Sequence, residues 1–222
     1  PRRMRTALAL ILALTATPAI AETAQPKRVI TAARMIDVLT GKVIDYPAVF
    51  VNEEGRITGI ADARTVRWGS EVEHVDLGSR TMLPGLIDMH VHLDSVAEIG
   101  GYNSLEYTDS FWSMVAVGNA QAMLKAGFTT VRNVGSSSRN DVGLKEAIEG
   151  GYASGPRIVP AGYALGATGG HCDSTFLPPS LEKPRKEEGV GDGEGELRHQ
   201  VRRQRKFGAQ VIKVCATGGV FS

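Results

Sequence analysis

Cysteine is scarce in this chain: 222 residues hold two, Cys172 and Cys215. That count excludes a structural zinc site of four cysteines, and the spacing of the histidines excludes a finger-type site. A basic excess is missing too. The formal charge is +1, and Arg2, Arg3 and Arg5 precede a segment expected to be removed; without these three it becomes −2, which argues against a nucleic-acid partner. Long apolar runs are also lacking. The one candidate, residues 7–16, is only about ten residues long, too short for a permanent membrane anchor. There is no internal repeat and no coiled-coil heptad. What is present, 42% hydrophobic and 22% charged residues, is the composition of a globular chain long enough to bury a substantial core.

The basic start, the Leu- and Ala-rich run and the small residues up to Ala21 are the three parts of a secretory signal peptide. Residues 1–21 are therefore expected to be cleaved after Ala21, with export to the periplasm or the medium. In such a compartment disulfides persist. Cys172 and Cys215 both fall near the carboxyl ends of expected strands, but sequence fixes neither their distance nor their direction, so a bridge and two free thiols both remain open.

Residues 22–80 show short alternating runs, 29–32, 48–52 and 57–61, separated by turn formers such as Thr40-Gly41 and Glu54-Gly55; this reads as a small antiparallel β unit. After Pro84 strand and helix alternate. Strands are expected over 86–92, 129–134, 157–163 and 211–217, and helices over 110–126, 142–149 and 196–207, each helix ending near Gly127, Gly150 or Gly208. This alternation implies an α/β fold of parallel strands joined by right-handed crossovers. The Gly- and Pro-rich insertion at 165–195 reads as an active-site loop.

The first of these strands ends in His90 and His92, two residues apart and bracketed by Asp88 and Asp94. On a strand alternate side chains share a face, so both rings point the same way, as two ligands of one metal must. The plain alternative is a His pair on a half-exposed strand. The position at a strand's carboxyl end, where α/β barrels keep their active sites, favours the ligand reading.

Lys213 interrupts the β-branched run at 211–217. An isolated ammonium in a covered parallel sheet is costly. Either the strand lies at an edge and the lysine snorkels to water, or desolvation keeps the amine neutral so that it adds carbon dioxide and, as a carbamate, bridges two metal ions.

Taken in order, the stretches Asp76-Leu-Gly-Ser-Arg-Thr-Met-Leu-Pro-Gly-Leu-Ile-Asp-Met-His-Val-His-Leu93, Ala126-Gly-Phe-Thr-Thr-Val-Arg132 and Gly208-Ala-Gln-Val-Ile-Lys-Val-Cys-Ala-Thr-Gly-Gly219 resemble the amidohydrolase superfamily. Gly169-Gly-His-Cys-Asp173 and Thr217-Gly-Gly-Val-Phe-Ser222 are most similar to its imidazolonepropionase-related branch, which includes Xaa-Pro dipeptidases, carboxypeptidase-like enzymes and secreted hydrolases of amide-linked toxins such as ochratoxin A. The resemblance implies the N-terminal half of a (β/α)8 TIM-type barrel over 81–222, preceded by part of a small β-sandwich over 22–80. A complete barrel of this kind takes about 250 residues, and roughly 140 follow Pro84, so a fragment of a longer protein is expected.

The resemblance further implies a metal-dependent hydrolase of amide or peptide C–N bonds, acting on a dipeptide or other small molecule. Two divalent ions, zinc being the best match to imidazole and carboxylate ligands, would be held by His90, His92 and a carboxylated Lys213. Two further histidines and a catalytic aspartate of the family have no counterpart in these 222 residues, so the chain alone is expected to be inactive. Alternatives are a cyclic-amide or ester hydrolase with the same centre, or a metal binder without catalysis. His171 and Ser95 are candidate substrate contacts; a loop histidine with only a structural hydrogen bond is the alternative for His171. Arg132 reads more readily as structural, and Asn133 stands where relatives often carry aspartate, which puts any charge pairing there in doubt. His74 and His199 read as surface residues. A half-barrel paired with a second copy, a homo-oligomer, is the other way to close the sheet.

Overall fold

A computed structural model describes residues 26–175, 177–181 and 188–219. The expected signal segment and residues 182–187 of the charged run lie outside the described residues. The chain divides into two compact units, Pro1–Pro84 and Gly85–Ser222.

The first unit holds β1 (Arg28–Thr31), β2 (Arg34–Ile36), β3 (Val43–Asp45), β4 (Pro47–Val51), β5 (Ile57–Asp62), β6 (Glu73–Asp76) and β7 (Thr81–Met82). They form two sheets, ordered β5-β4-β1-β6 and β3-β2-β7. The unit is mixed rather than purely antiparallel: β1 runs antiparallel to β4 but parallel to β6, and β2 parallel to β7. Alternation along β1 sends Val29 and Thr31 inward and Arg28 outward. Val29, Ala48 and Val72 make the core, with Phe50, Val66 and Trp68 packed on it. His74 is exposed as expected, its ring 5.1 Å from that of Trp68.

The second unit is built on three parallel strands, β8 (Leu86–Val91), β9 (Phe128–Asn133) and β10 (Arg157–Pro160), ordered β10-β9-β8. Three helices accompany them: α1 (Asp109–Lys125), α2 (Asn140–Glu149) and α3 (Gly193–Lys206). The Thr108 hydroxyl caps α1 by accepting from the Phe111 amide, and Asp109 and Lys125 complement the helix dipole at its two ends. Ala116 and Ala120, one turn apart, let α1 approach the sheet closely, and with Leu93, Val131, Leu144 and Ile158 they form the core. His199 is exposed on α3.

The expected fourth strand differs. Over 211–217 the chain makes a single parallel bridge, Val214 to Leu165, in which the Leu165 amide donates to the Lys213 carbonyl and the Cys215 amide to the Leu165 carbonyl, both at 2.8 Å. β10 stops at Pro160; just beyond it the Asp141 carboxylate accepts the amides of Gly162 and of Ala161, the latter shared with the Asn133 carbonyl. Gly162 then takes φ 66°, turning the chain away before it realigns at Leu165. Among the described residues, no helix is long and apolar enough to cross a membrane.

Candidate active site

The carboxyl end of β8 is not a regular strand. Its pairing with β9 slips between Asp88 and Val91, which face Val131 and Asn133, so three steps on one strand match two on the other. Such a bulge leaves backbone groups without ladder partners and re-aims the side chains beside it. Two side chains make good the loss. Arg132 Nε donates to the Met89 carbonyl at 2.7 Å, and the Asp88 carboxylate accepts the His90 amide at 2.9 Å. The His90 and His92 rings then stand with centroids 5.6 Å apart and planes at 61°.

His92 is fixed by its far nitrogen: Nδ1 lies 3.1 Å from the Gly135 carbonyl. A carbonyl only accepts, so Nδ1 carries the proton and Nε2 is left as the electron-pair donor. His90 has its pKa held below the ordinary histidine value, first by desolvation and then by the positive charges of Lys213, His92 and Arg132. His90 is thus biased toward the neutral form that ligates metal, and His92 keeps Nε2 turned away from the Gly135 carbonyl. Lys213 is half-buried, and its charge is felt at His90. Among the described residues no group of three or more His, Cys, Asp and Glu side chains is placed to hold a metal.

Beside His92 opens a cavity of about 380 Å³, bordered by Ser95, Tyr163, His171 and Asp173. Both candidate substrate contacts reach it. The Ser95 hydroxyl donates to the His92 carbonyl at 3.0 Å. His171 sits against Gly219, where a Cβ would fall on the imidazole, so this glycine gives the ring its space. Next to it Cys172 is bonded to Cys215, with Cα atoms 5.9 Å apart, tying the His171 loop to the Lys213 segment.

From the wall of this cavity inward runs a polar network that the sequence did not reveal. Asp94 accepts from the Ser136 hydroxyl, the Ser137 amide and the Asn140 amide nitrogen. Asn133, fully buried, accepts the Leu93 amide at 2.8 Å and donates to the Gly135 carbonyl at 3.0 Å and to Asp141 at 3.2 Å. Burial pushes the Asp141 carboxyl above its usual range, opposed by hydrogen bonds from Gly162, Asn133 and Val142. Asp94 was visible as a residue flanking the histidines. Asp141 was not, since an acidic residue in a helix's first turn reads as a dipole complement.

A model of the amidohydrolase family matches residues 81–222. The chain belongs to the amidohydrolase family. Among curated proteins, the ochratoxinase of Aspergillus niger is 32% identical over 160 residues, covering 64% of this chain and 32% of that enzyme. The imidazolonepropionase of Rhizobium rhizogenes is 33% identical over 76 residues, 34% of this chain and 18% of that one. Among solved structures, a Xaa-Pro dipeptidase with methionine in its active site has a TM-score of 0.78 at 32% identity, over 88% of this chain and 48% of that chain. A prolidase complexed with N-methylphosphonate-L-proline gives 0.76 at 33%, with the same coverage. This amidohydrolase chain spans about half the length of those structures and about a third of ochratoxinase.

Proposed function

We propose that this amidohydrolase cleaves amide or peptide C–N bonds with metal-activated water, its substrates being dipeptides or small amide-linked toxins of the ochratoxin A kind. The observation that carries the reading is the braced bulge, which brings the His90 and His92 rings together at the carboxyl end of a parallel strand. The likeness to ochratoxinase and to prolidase supports it. His90 and His92 would hold one of two divalent ions, zinc by donor chemistry, and Lys213, carboxylated on its amine, would supply oxygen to both. Such ions supply Lewis acidity toward a carbonyl and lower the pKa of water toward neutrality.

The chain's own residues bind and orient. The Gly135 carbonyl fixes the His92 tautomer, and the cavity of about 380 Å³ is of the size that takes a small ligand. There His171 and Ser95 contact the substrate, with His171 suited to a carboxylate or to the scissile carbonyl. Export after cleavage at Ala21 completes the reading, and N-terminal sequencing of the secreted protein checks it.

The test is metal analysis of the full-length protein beside Lys213→Ala, with turnover measured on a dipeptide panel and on ochratoxin A. The variant should fold, since it loses only a half-buried alkyl stem, yet lose metal stoichiometry and turnover together. Two tightly held metals and normal turnover in Lys213→Ala would refute the role.

A further inference from the structure

Tyr163 borders the cavity beside His92, just beyond the end of β10, and is held there from several sides. Its phenol oxygen accepts the Ser138 amide at 2.9 Å, and its backbone amide donates to Oε1 of the buried Gln204 at 3.2 Å. The Arg139 guanidinium lies 4.9 Å from the centre of its ring and 4.6 Å from that of Phe207. Arg139 Nε and Nη2 are buried without a hydrogen-bond partner among the described residues, so aromatic faces rather than a carboxylate hold this cation. Ser138 and Arg139 take up these positions at φ 51° and 57°, a left-handed pair with no glycine in it. Such strain persists only where the surroundings impose it.

We infer that Tyr163 is a specificity-determining residue whose hydroxyl donates a hydrogen bond to the free carboxylate on the leaving side of the substrate, with Arg139 as its positioning residue. This rests on the amidohydrolase reading given above. A phenol oxygen that accepts one N–H still has its own proton to give, and among the described residues that proton meets no acceptor. No lysine or arginine borders the cavity among the described residues, whereas Asp94, Asp173 and Glu188 do. Asp94 is engaged by Ser136, Ser137 and Asn140, and Asp173 by the Gly169 and Ser174 amides. A carboxylate entering here is therefore met by directed donors rather than by a basic wall. The fixed O–H of Tyr163, with a cation behind its ring, is such a donor, and a hydrogen bond to an ionised acceptor is roughly twice as strong as one between neutral groups.

The experiment uses Tyr163→Phe and Arg139→Met in the full-length protein. Each is assayed on the dipeptide that wild type turns over fastest and on the same dipeptide with its carboxylate converted to the amide. Tyr163→Phe should raise KM for the free acid about 10- to 100-fold, the usual loss of a hydrogen bond to a charged group, and leave kcat nearly unchanged. The amide should show little change in either constant. Losing the contact with Ser138, whose exposed amide water can satisfy, would act on acid and amide alike, so their ratio reads the hydroxyl itself. Arg139→Met keeps an apolar stem between the rings and removes the charge; it should move the acid in the same direction by less, and it carries the test if Tyr163→Phe fails to fold. Equal losses on acid and amide, or no loss on the acid, would overturn the inference. If wild type cleaves no dipeptide, the amidohydrolase reading falls, and calorimetric binding of proline against prolinamide decides. A wild-type preference for the acid that Tyr163→Phe abolishes keeps the carboxylate contact, and the absence of such a preference overturns it.

Discussion

Arg132 Nε donates to the Met89 carbonyl at 2.7 Å, so a residue of the middle strand holds open the bulge from which His90 projects. The guanidinium is doing the work of a missing ladder bond. Arg132→Met should therefore destabilise the fold by about 1.5 to 3 kcal/mol, the usual worth of a hydrogen bond to a charged group. Arg132→Lys should recover little of it, because a flexible ammonium does not hold the fixed direction of a guanidinium N–H. Urea unfolding midpoints read both variants, and full rescue by lysine would show that charge alone matters.

The Cys172–Cys215 bond closes a sequence separation of 43 residues and anchors the His171 loop against the segment carrying Lys213. Replacing both cysteines by serine should cost about 2 to 4 kcal/mol, mainly through freedom returned to the unfolded chain. The loss should be local as well as global. Hydrogen exchange should quicken at the amides of Leu165 and Cys215, whose bonds stitch the two segments together. Unchanged exchange there would mean that backbone pairing holds the loop without the bridge.

The helix limits and the ends of β8 and β9 were legible in the sequence to within a few residues because glycine and capping residues mark them, whereas the strand expected over 211–217 reduces to one bridge. Helix α1 was expected over 110–126 and spans Asp109–Lys125, with Thr108 as its cap. Strand alternation is the ground for expecting the His90 and His92 rings on one face, whereas the local geometry is that of a bulge between Asp88 and Val91. What escaped reading was nonlocal. The bulge depends on Arg132 meeting Met89 from 43 positions away, and the turn after β10 is braced by Asp141, which accepts two amides about twenty residues downstream. Short strands such as β2, β3 and β7 carry too few residues for an alternating pattern to show, and the parallel partners β2 and β7 lie far apart in the chain. Asn133 read as a departure from an expected charge; the structure makes it a donor and acceptor at once.

In the first unit, Arg64 grips Asp62 through Nε and Nη2 and holds its carboxyl down to about 2, below the ordinary 3.8. A folded-state pKa below the unfolded one favours the ionised form on folding. The stabilisation is therefore complete above the unfolded value and is lost as pH falls from about 3.8 through about 2. Carboxyl 13C shifts should show Asp62 titrating near the lower value, and high salt should raise it, since the pair is open to solvent. A midpoint at the ordinary value would mean that Arg64 does not hold this geometry in solution.

Gly135 offers the smallest change aimed at His92. It lies at φ 137°, where a side chain is strained, and an added Cβ would stand 3.3 Å from His92 Cε1. Gly127 supplies the matched control: its φ is 95°, and a Cβ there would meet nothing within 4 Å. Both Gly→Ala variants should lose about 1 to 3 kcal/mol to backbone strain. Only Gly135→Ala also presses on the imidazole, and it alone should weaken zinc binding and displace the His92 ring resonances. Calorimetric melting separates the shared stability loss from the zinc titration that distinguishes the two. Equal zinc affinities at equal stability would show that the ring has room to yield, and that the Gly135 carbonyl rather than the missing Cβ is what glycine provides there.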